Sequence, residues 1–496
     1  MKRSLSKSDF LKYLQCPKYF WLWKNKPDVL EDQVVDEFAQ QIIDQGNEAE
    51  AWARKLFPEG MMVETKQKQA IIDTQKLLEE GHKIIFQAAF EAECFYAMVD
   101  VLTWDEASNY WIINEVKGTT SKEVKKEEHY ADACFQKFIM EKSGFKVGQV
   151  NLLELNKEFR KDGDIIPSLL IQTTDITINI AEISSNIDIQ MNDAKALMLR
   201  TEEPRACDCI YKSRSNQCPA FSYCHPQVPE YSVHDICRIG SSKKKLREIV
   251  DNGWLKIEDI PLEYKLSKTQ QPQVHSTITG ETSINTKKIK ADLEKIEFPI
   301  YFLDYETYPS AIPVFDGCFP FQQVPFQYSL HILREPYGDL EHQEFLHTQN
   351  SNPMRGLAEQ LRNDIGDTGS VVVWNKSFEG GRNAELADTF PDLSEFLHGI
   401  NNRFYDLEDI FKAQYYVDKN LKGKTSIKYV LPVLCPELTY DSLNIKNGGM
   451  ACKSWKEMIF DLEDQSEKDQ IAEDLRVYCK LDTFAMVRIW DELSKI

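Results

Sequence analysis

The run YFLDYETYP at 301–309 constrains this chain more than any other stretch. Tyr301, Phe302 and Leu303 are strand formers and Pro309 closes the run, so it reads as a buried strand. Alternation puts Asp304 and Glu306 on one face, about 6–7 Å apart along the strand. Two like charges aimed into the same buried space carry a desolvation cost. A chain that folds around this strand has to bring something positive between them.

The C-terminal stretch SEKDQIAEDLRVYCKLDTFAMVRIWDELSKI carries an apolar stripe at helical spacing: Ile471, Leu475, Tyr478, Met486, Ile489 and Leu493. Asp482 fills the one hole in that stripe, four residues after Tyr478, so the two side chains are neighbours on the inward face. A fourth acid comes from VVVWNKSFEGGRNAEL, where an apolar strand ends at Asn375 and leads through Phe378 to Glu379. Asp304, Glu306, Glu379 and Asp482 converging on two divalent ions, Mg2+ or Mn2+, about 3.5–4 Å apart would balance the charge and suit attack on a phosphodiester. Asp406, in FYDLEDIF, is a further acid placed near the substrate side.

A second acidic group lies nearer the N-terminus. Between CFYAMVDVLTW and YWIINEVKG is a polar turn centred near residues 107–108. A hairpin about that turn sets Asp100 opposite Glu115, with Lys117 on the face of Glu115. An Asp and a Glu can hold one Mg2+, while an adjacent Lys positions water or stabilises a phosphate.

Of twelve cysteines, Cys207, Cys209, Cys218 and Cys224 fall within eighteen residues. In a reducing compartment that spacing points to a bound metal or an iron–sulfur cluster rather than to disulfides. Cys94, Cys134 and Cys479 lie in apolar runs and need no function.

The 496 residues divide into three blocks: 1–232, ending at the cysteines; a lysine-rich helical connector, 233–297; and 298–496. The net charge of −20 argues against a generally basic nucleic-acid coat, but clustered carboxylates are what a metal-dependent nuclease needs. Lysines gather in SSKKKLREI and NTKKIKADLEK, as a solvated helix face or as a guide for a nucleic-acid strand. No stretch approaches twenty consecutive apolar residues, and MKRSLSKSDF leads into no apolar h-region, so a cytoplasmic protein without a membrane span is expected.

FLDYET, WNKSFE and YCKLD resemble, in order, the motifs of the DEDD exonucleases, RNase H-like domains of the DnaQ type, over roughly residues 298–496. That resemblance implies Asp304, Glu306, Glu379 and Asp482 as metal ligands, Tyr478 as the residue that orients the attacking water, and 3′-to-5′ polarity. Glu379 departs from it, since the second motif usually ends in Asp.

The spacing D-x14-E-V-K is similar to the PD-(D/E)XK nuclease signature without its Pro. The RecB-type branch of that family implies an acid on an early helix, Glu48 or Glu50, then Glu91, and Gln136 on a following helix. It also implies a [4Fe–4S] cluster held by one early Cys, here Cys16 in YLQCPKYFWLW, and three later ones. Cys16, Cys209, Cys218 and Cys224 form the expected set, with Cys207 as substitute and zinc as the alternative to the cluster.

The whole chain resembles a bacterial family of two-nuclease proteins that join these two domains. The expected fold is α/β and multidomain: a restriction-endonuclease-like PD-(D/E)XK core plus an RNase H-like mixed sheet flanked by helices. The expected activity is metal-dependent hydrolysis of nucleic acid, DNA ahead of RNA, at two centres. The rival is a cluster-stabilised nucleic-acid-binding protein with degenerate nuclease cores.

Overall fold

A computed structural model describes residues 4–30, 37–119, 126–205 and 207–496. The protein is mixed α/β and multidomain, and its contacts divide it into two compact units. The connector 233–297 belongs to the second unit, and Ser310–Phe321 belongs to the first although it follows the 301–309 strand in the chain. Among the described residues, no helix is long and apolar enough to cross a membrane.

The first unit is built on a seven-stranded sheet: β1 (Leu5–Ser6), β2 (Met61–Met62), β3 (Ile84–Ala92), β4 (Phe95–Asp105), β5 (Tyr110–Lys117), β6 (Val147–Leu155) and β7 (Ile171–Asp175). Strands β2 to β7 lie in sequence order, and β1 pairs with the start of β4. Helices α1 (Lys7–Gln15), α2 (Pro17–Asn25), α3 (Glu37–Arg54), α4 (Lys126–Lys142) and α5 (Thr177–Leu199) accompany it. Strands β5 and β6 are parallel, so the connection between them needs a crossover, which α4 supplies.

Phe10, Phe20, Phe95, Phe135, Ile139 and Met191 form the larger core. Truncating a wholly buried ring such as Phe135 to Ala costs about 3–5 kcal/mol. A smaller core joins Ala49 and Ala53 of α3 to Leu153, Leu155, Ala311 and Ile312. Helix α3 comes close because small residues face the sheet: a Cβ on Gly118 would lie 2.8 Å from the Gly46 Cα. That approach carries Glu50 to Gln87 of β3.

The second unit holds β8 (Ile300–Pro309), β9 (Gln323–Leu333), β10 (Leu340–Leu346), β11 (Ser370–Val373) and β12 (Phe404–Asp406), in the order β10-β9-β8-β11-β12. The pairs β8–β9 and β9–β10 are antiparallel, while β8–β11 and β11–β12 are parallel. Strand β8 is central, and a central strand is covered on both faces, which is why its sequence is so continuously apolar. Pro325 lies inside β9 at a register shift between Pro325 and Gln327, the bulge at which a residue without an N–H is tolerated.

Helices α6 (Lys243–Asp251), α7 (Lys376–Thr389), α8 (Ile427–Leu434) and α9 (Gln465–Ser494) belong to this unit. The side chain of Asp464 caps α9 by accepting from the backbone N–H groups of Ser466 and Glu467. A polar seam sets the register of α9 on the sheet. Gln327 Nε2 donates to Leu475 O at 3.0 Å, and Thr483 Oγ1 bonds both Ser329 Oγ (2.7 Å) and His331 Nδ1 (2.8 Å). Ser329 pairs with Asp304 and Gln327 with Glu306, so the seam and the two acids share one face of the sheet.

Candidate functional site

In the second unit, β8, α7 and α9 bring Asp304, Glu306, Glu379 and Asp482 into one charged neighbourhood. Oxygens of Asp304 and Glu306 and the Cys479 Sγ all lie within 4.8 Å of one another. Glu379, in the first turn of α7, is 2% exposed, and its Oε2 has no hydrogen-bond partner among the described residues. Asn375 caps that helix at φ +91°, a left-handed conformation that turns the chain sharply from β11 into α7. Burial and the neighbouring Asp482 hold the Asp304 carboxyl well above its usual range, and burial and Asp482 raise Glu306 likewise. Burial pushes Glu379 up to about 8 and Asp482 up to about 6.

Two phenols and a lysine close this centre. Tyr440 Oη donates to Asp482 Oδ1 at 2.6 Å, and the Tyr478 ring lies beside it, 6.1 Å from that of Tyr440. Burial and the carboxylates raise both phenols far above their usual value, so they stay protonated and act as donors. The half-buried Lys428 of α8 stands 5.5 Å from the centres of both rings and donates to Lys446 O at 2.7 Å. Burial lowers its ammonium, while Asp482, Glu306 and Asp304 pull it back up. Hard oxygen donors, an orphaned carboxylate oxygen and mutual repulsion make this a donor set that fits Mg2+ or Mn2+.

Tyr440 supplies a pH test. Its donation lowers the pKa of Asp482, so Tyr440→Phe raises that pKa and leaves less carboxylate at a given pH. The Asp482 carboxyl titration, followed by NMR, is expected to move to higher pH. A titration that stays in place removes the Tyr440 donation as its cause.

The first unit builds a different centre. Val101 pairs with Asn114, and one step further in that register Asp100 stands level with Glu115. Asp100 Oδ2 accepts from Val116 N at 2.9 Å. Lys117 Nζ reaches Glu115 Oε1 (2.7 Å) and Asp132 Oδ2 (2.5 Å), and Gln136 Nε2 donates to Glu115 Oε2 (2.6 Å) and Asp132 Oδ1 (3.0 Å). Lys7 Nζ adds contacts to Glu115 Oε1 at 2.9 Å and to Asp132 Oδ2 at 3.3 Å.

Two expected acids stand elsewhere. Glu91 is exposed, four residues along β3 from the level of Asp100, and that level is held by Gln87. Gln87 has φ +54° and donates to Glu50 Oε1 at 2.7 Å. Glu48 faces solvent on α3, whereas Glu50, two residues on and so on a different face of the helix, meets Gln87.

The thiols of Cys16, Cys207, Cys209 and Cys218 are buried and lie within 4.8 Å of one another. Cys16 and Cys207 are separated by 3.7 Å and Cys207 and Cys218 by 3.9 Å. This corrects the expected set: Cys207 takes the fourth place, and Cys224, at the end of a short helix, contacts Cys207 from outside the group. Four thiols this close cannot all ionise unaided. Their mutual bonds raise Cys16 and Cys218, while bonds from Cys16, Cys207 and Cys218 lower Cys209. The group can bind a metal or a cluster.

Residues 301–426 match a family described as Domain of unknown function (DUF2779). That match takes in Asp304, Glu306 and Glu379 and stops before Tyr440, Tyr478 and Asp482. The chain is also similar to the "Uncharacterized protein MG366 homolog" of Mycoplasma pneumoniae, at 27% identity over 294 residues, 52% of this chain and 44% of the relative. It is 26% identical to "Uncharacterized protein UU173" of Ureaplasma parvum over 289 residues, 54% of this chain and 41% of that protein. The chain thus spans less than half the length of these curated relatives.

Sequence reasoning missed Lys7, Asp132, Lys428, Tyr440 and the position of Cys479. Asp132 had a signal, since it stands four residues before Gln136 on α4 and shares its face. Cys479 follows Tyr478 directly and lies 4.0 Å from Asp304 Oδ2. Asp406 serves the backbone: its oxygens accept from the N–H groups of Asn375, Lys376 and Glu408, bracing the turn that carries Glu379.

Proposed function

We propose that the chain is a divalent-cation-dependent nuclease that removes nucleotides from the 3′ end of nucleic acid, DNA ahead of RNA, with its chemistry in the second unit. The observation that carries this reading is the convergence of Asp304, Glu306, Glu379 and Asp482 in a buried space where each is raised in pKa and Glu379 Oε2 has no partner among the described residues. The strand order, an antiparallel β10-β9-β8 ribbon continued by parallel β11 and β12, supports an RNase H-like reading. Mg2+ or Mn2+ held by these four carboxylates would supply Lewis-acid chemistry at a phosphodiester. Tyr478 and Tyr440, kept protonated, orient the Asp482 carboxylate and offer hydroxyl donors rather than a base. Lys428 provides a cation for a phosphate oxygen.

The first unit is read as a RecB-type PD-(D/E)XK core. Its four thiols fit one tetrahedral Zn2+: a Zn–S bond of about 2.3 Å gives sulfur–sulfur edges of ~3.8 Å, close to the 3.7 and 3.9 Å observed. A [4Fe–4S] cubane, with an iron at each corner, spreads its thiolates further apart. The thiolates also favour the reducing cytoplasm as the place of work.

Within 233–297 there are twelve Lys and Arg against ten Asp and Glu, although the whole chain carries −20. Lys243, Lys244 and Lys245 open α6, the first two exposed, and are proposed to hold the phosphate backbone. Neutralising all three to Gln is expected to weaken single-stranded DNA binding and to flatten its salt slope by about one unit per lost phosphate contact. An unchanged slope removes these lysines from the interface.

The experiment that tests the function is Mn2+- or Mg2+-dependent degradation of end-labelled single-stranded DNA and RNA by the native protein, Asp304→Ala and Lys117→Ala. Laddering from the 3′ end that Asp304→Ala abolishes and Lys117→Ala spares is the expected result. Tight binding of the strand with no cleavage by the native protein makes the chain a nucleic-acid-binding protein instead.

A further inference from the structure

Each oxygen of the Glu115–Asp132 pair of the first unit has a partner within the protein. Glu115 Oε1 is shared by Lys7 and Lys117, and so is Asp132 Oδ2. The remaining oxygens, Glu115 Oε2 and Asp132 Oδ1, both accept from Gln136 Nε2. The two carboxylates are 1% and 2% exposed. Two ammonium groups therefore balance two buried carboxylates, and a divalent ion bridging Glu115 Oε1 and Asp132 Oδ2 has to displace a lysine. As they stand, the lysine-held oxygens of this pair do not fit the cation that a PD-(D/E)XK core implies, whose other expected ligand, Asp100, accepts from Val116 N.

Lys7 is not a loose surface lysine that swings in. The backbone before it is pinned by β1, where Leu5 N donates to Cys94 O at 2.7 Å and Leu5 and Ser6 pair with Phe95 and Tyr96. The backbone after it is pinned by a capping box between Ser6 and Asp9, and Asp9 is itself held by Trp23 and Lys24. Lys7 is the first residue of α1, so this frame aims it at the pair.

We infer that Lys7 is the internal cation of the first centre, holding the Glu115–Asp132 pair closed to divalent ions. The inference is independent of any chemistry in the second unit. Mn2+ alone is the probe, titrated calorimetrically into the full chain carrying Asp304→Asn and Asp482→Asn, which silence the other centre. That background is expected to show no Mn2+ site that depends on Glu115. Adding Lys7→Met is expected to open one, tightening Mn2+ binding by about tenfold or more, and Glu115→Gln is expected to close it again. Lys7→Arg, which keeps the charge, is expected to leave it closed. Mn2+ binding to the background itself that Glu115→Gln removes overturns the inference, and this arm reads out whether or not Lys7→Met folds. A folded Lys7→Met protein that gains no Mn2+ site overturns it equally.

Discussion

Asp304→Asn is expected to abolish cation-dependent degradation and, in the same protein, to raise the melting temperature measured in EDTA. Losing one ligand of a hydrolytic cation site lowers the rate by about a thousandfold or more. The stabilisation has a separate cause. Asp304 is buried among Asp482, Glu306 and Glu379, and burial and those neighbours raise its carboxyl. A neutral amide of the same shape removes both the desolvation of a charge and its repulsion with three others, about 1–3 kcal/mol without a cation.

The pH dependence checks the cause. A carboxyl whose pKa is raised on folding binds a proton more tightly in the folded state than in the unfolded one. Its stability contribution is present below the unfolded value and is lost as pH rises through the folded value, about 6 for Asp482 and about 8 for Glu379. Native protein in EDTA should therefore lose stability between about pH 4 and pH 8, and Asp304→Asn should lose less. A melting temperature lowered by Asp304→Asn at every pH means that the carboxylate holds the fold together rather than straining it.

Cys209→Ser is expected to abolish metal binding by the four-thiol group and to unfold the first unit. Cys16 precedes α2 while the other three thiols follow α5, so the centre ties together chain ends about 190 residues apart in sequence. Metal held by four thiolates contributes roughly 10 kcal/mol or more of binding that is coupled to folding, against a net stability of about 5–15 kcal/mol for a whole domain. Losing one thiolate therefore removes the cooperative melting of the unit and not merely a few degrees.

Cys224→Ser is the control that decides membership, with Cys207→Ser as its counterpart. Cys224→Ser should retain one zinc equivalent and the native melting profile, while Cys207→Ser should lose both. Metal analysis showing the reverse would put Cys224 in the group and Cys207 beside it. A brown protein with four irons per chain would replace zinc with the cubane.

Much of both centres was legible because their residues break local rules. Asp304 and Glu306 interrupt an apolar strand, and Asp482 interrupts an apolar helix stripe. Strand alternation and helical periodicity then say which way each side chain points. Asp100, Glu115 and Lys117 were legible for the same reason, because a polar turn at a known position sets the register of a hairpin. Glu91 was not, since nothing local says that Gln87 takes a left-handed φ beside Asp100. Lys7 and Asp132 were hidden in ordinary helix turns, where an exposed charge is the commonest outcome.

The sequence by itself determined the elements and their inward charges: a central strand carrying two acids, a terminal helix carrying a third, a hairpin with Asp, Glu and Lys, and a dense group of cysteines. Periodicity carries that information, because it is local and repeats over a few residues. Only the tertiary structure decided the partners. It selected Cys207 over Cys224, brought Tyr440 and Lys428 to Asp482, and set Lys7 against Glu115 from 108 residues away. It also placed Ser310–Phe321 in the first unit. Such choices rest on which side chains can satisfy a buried charge or fill a remaining gap. That is a property of the assembled interior, and no window of sequence contains it.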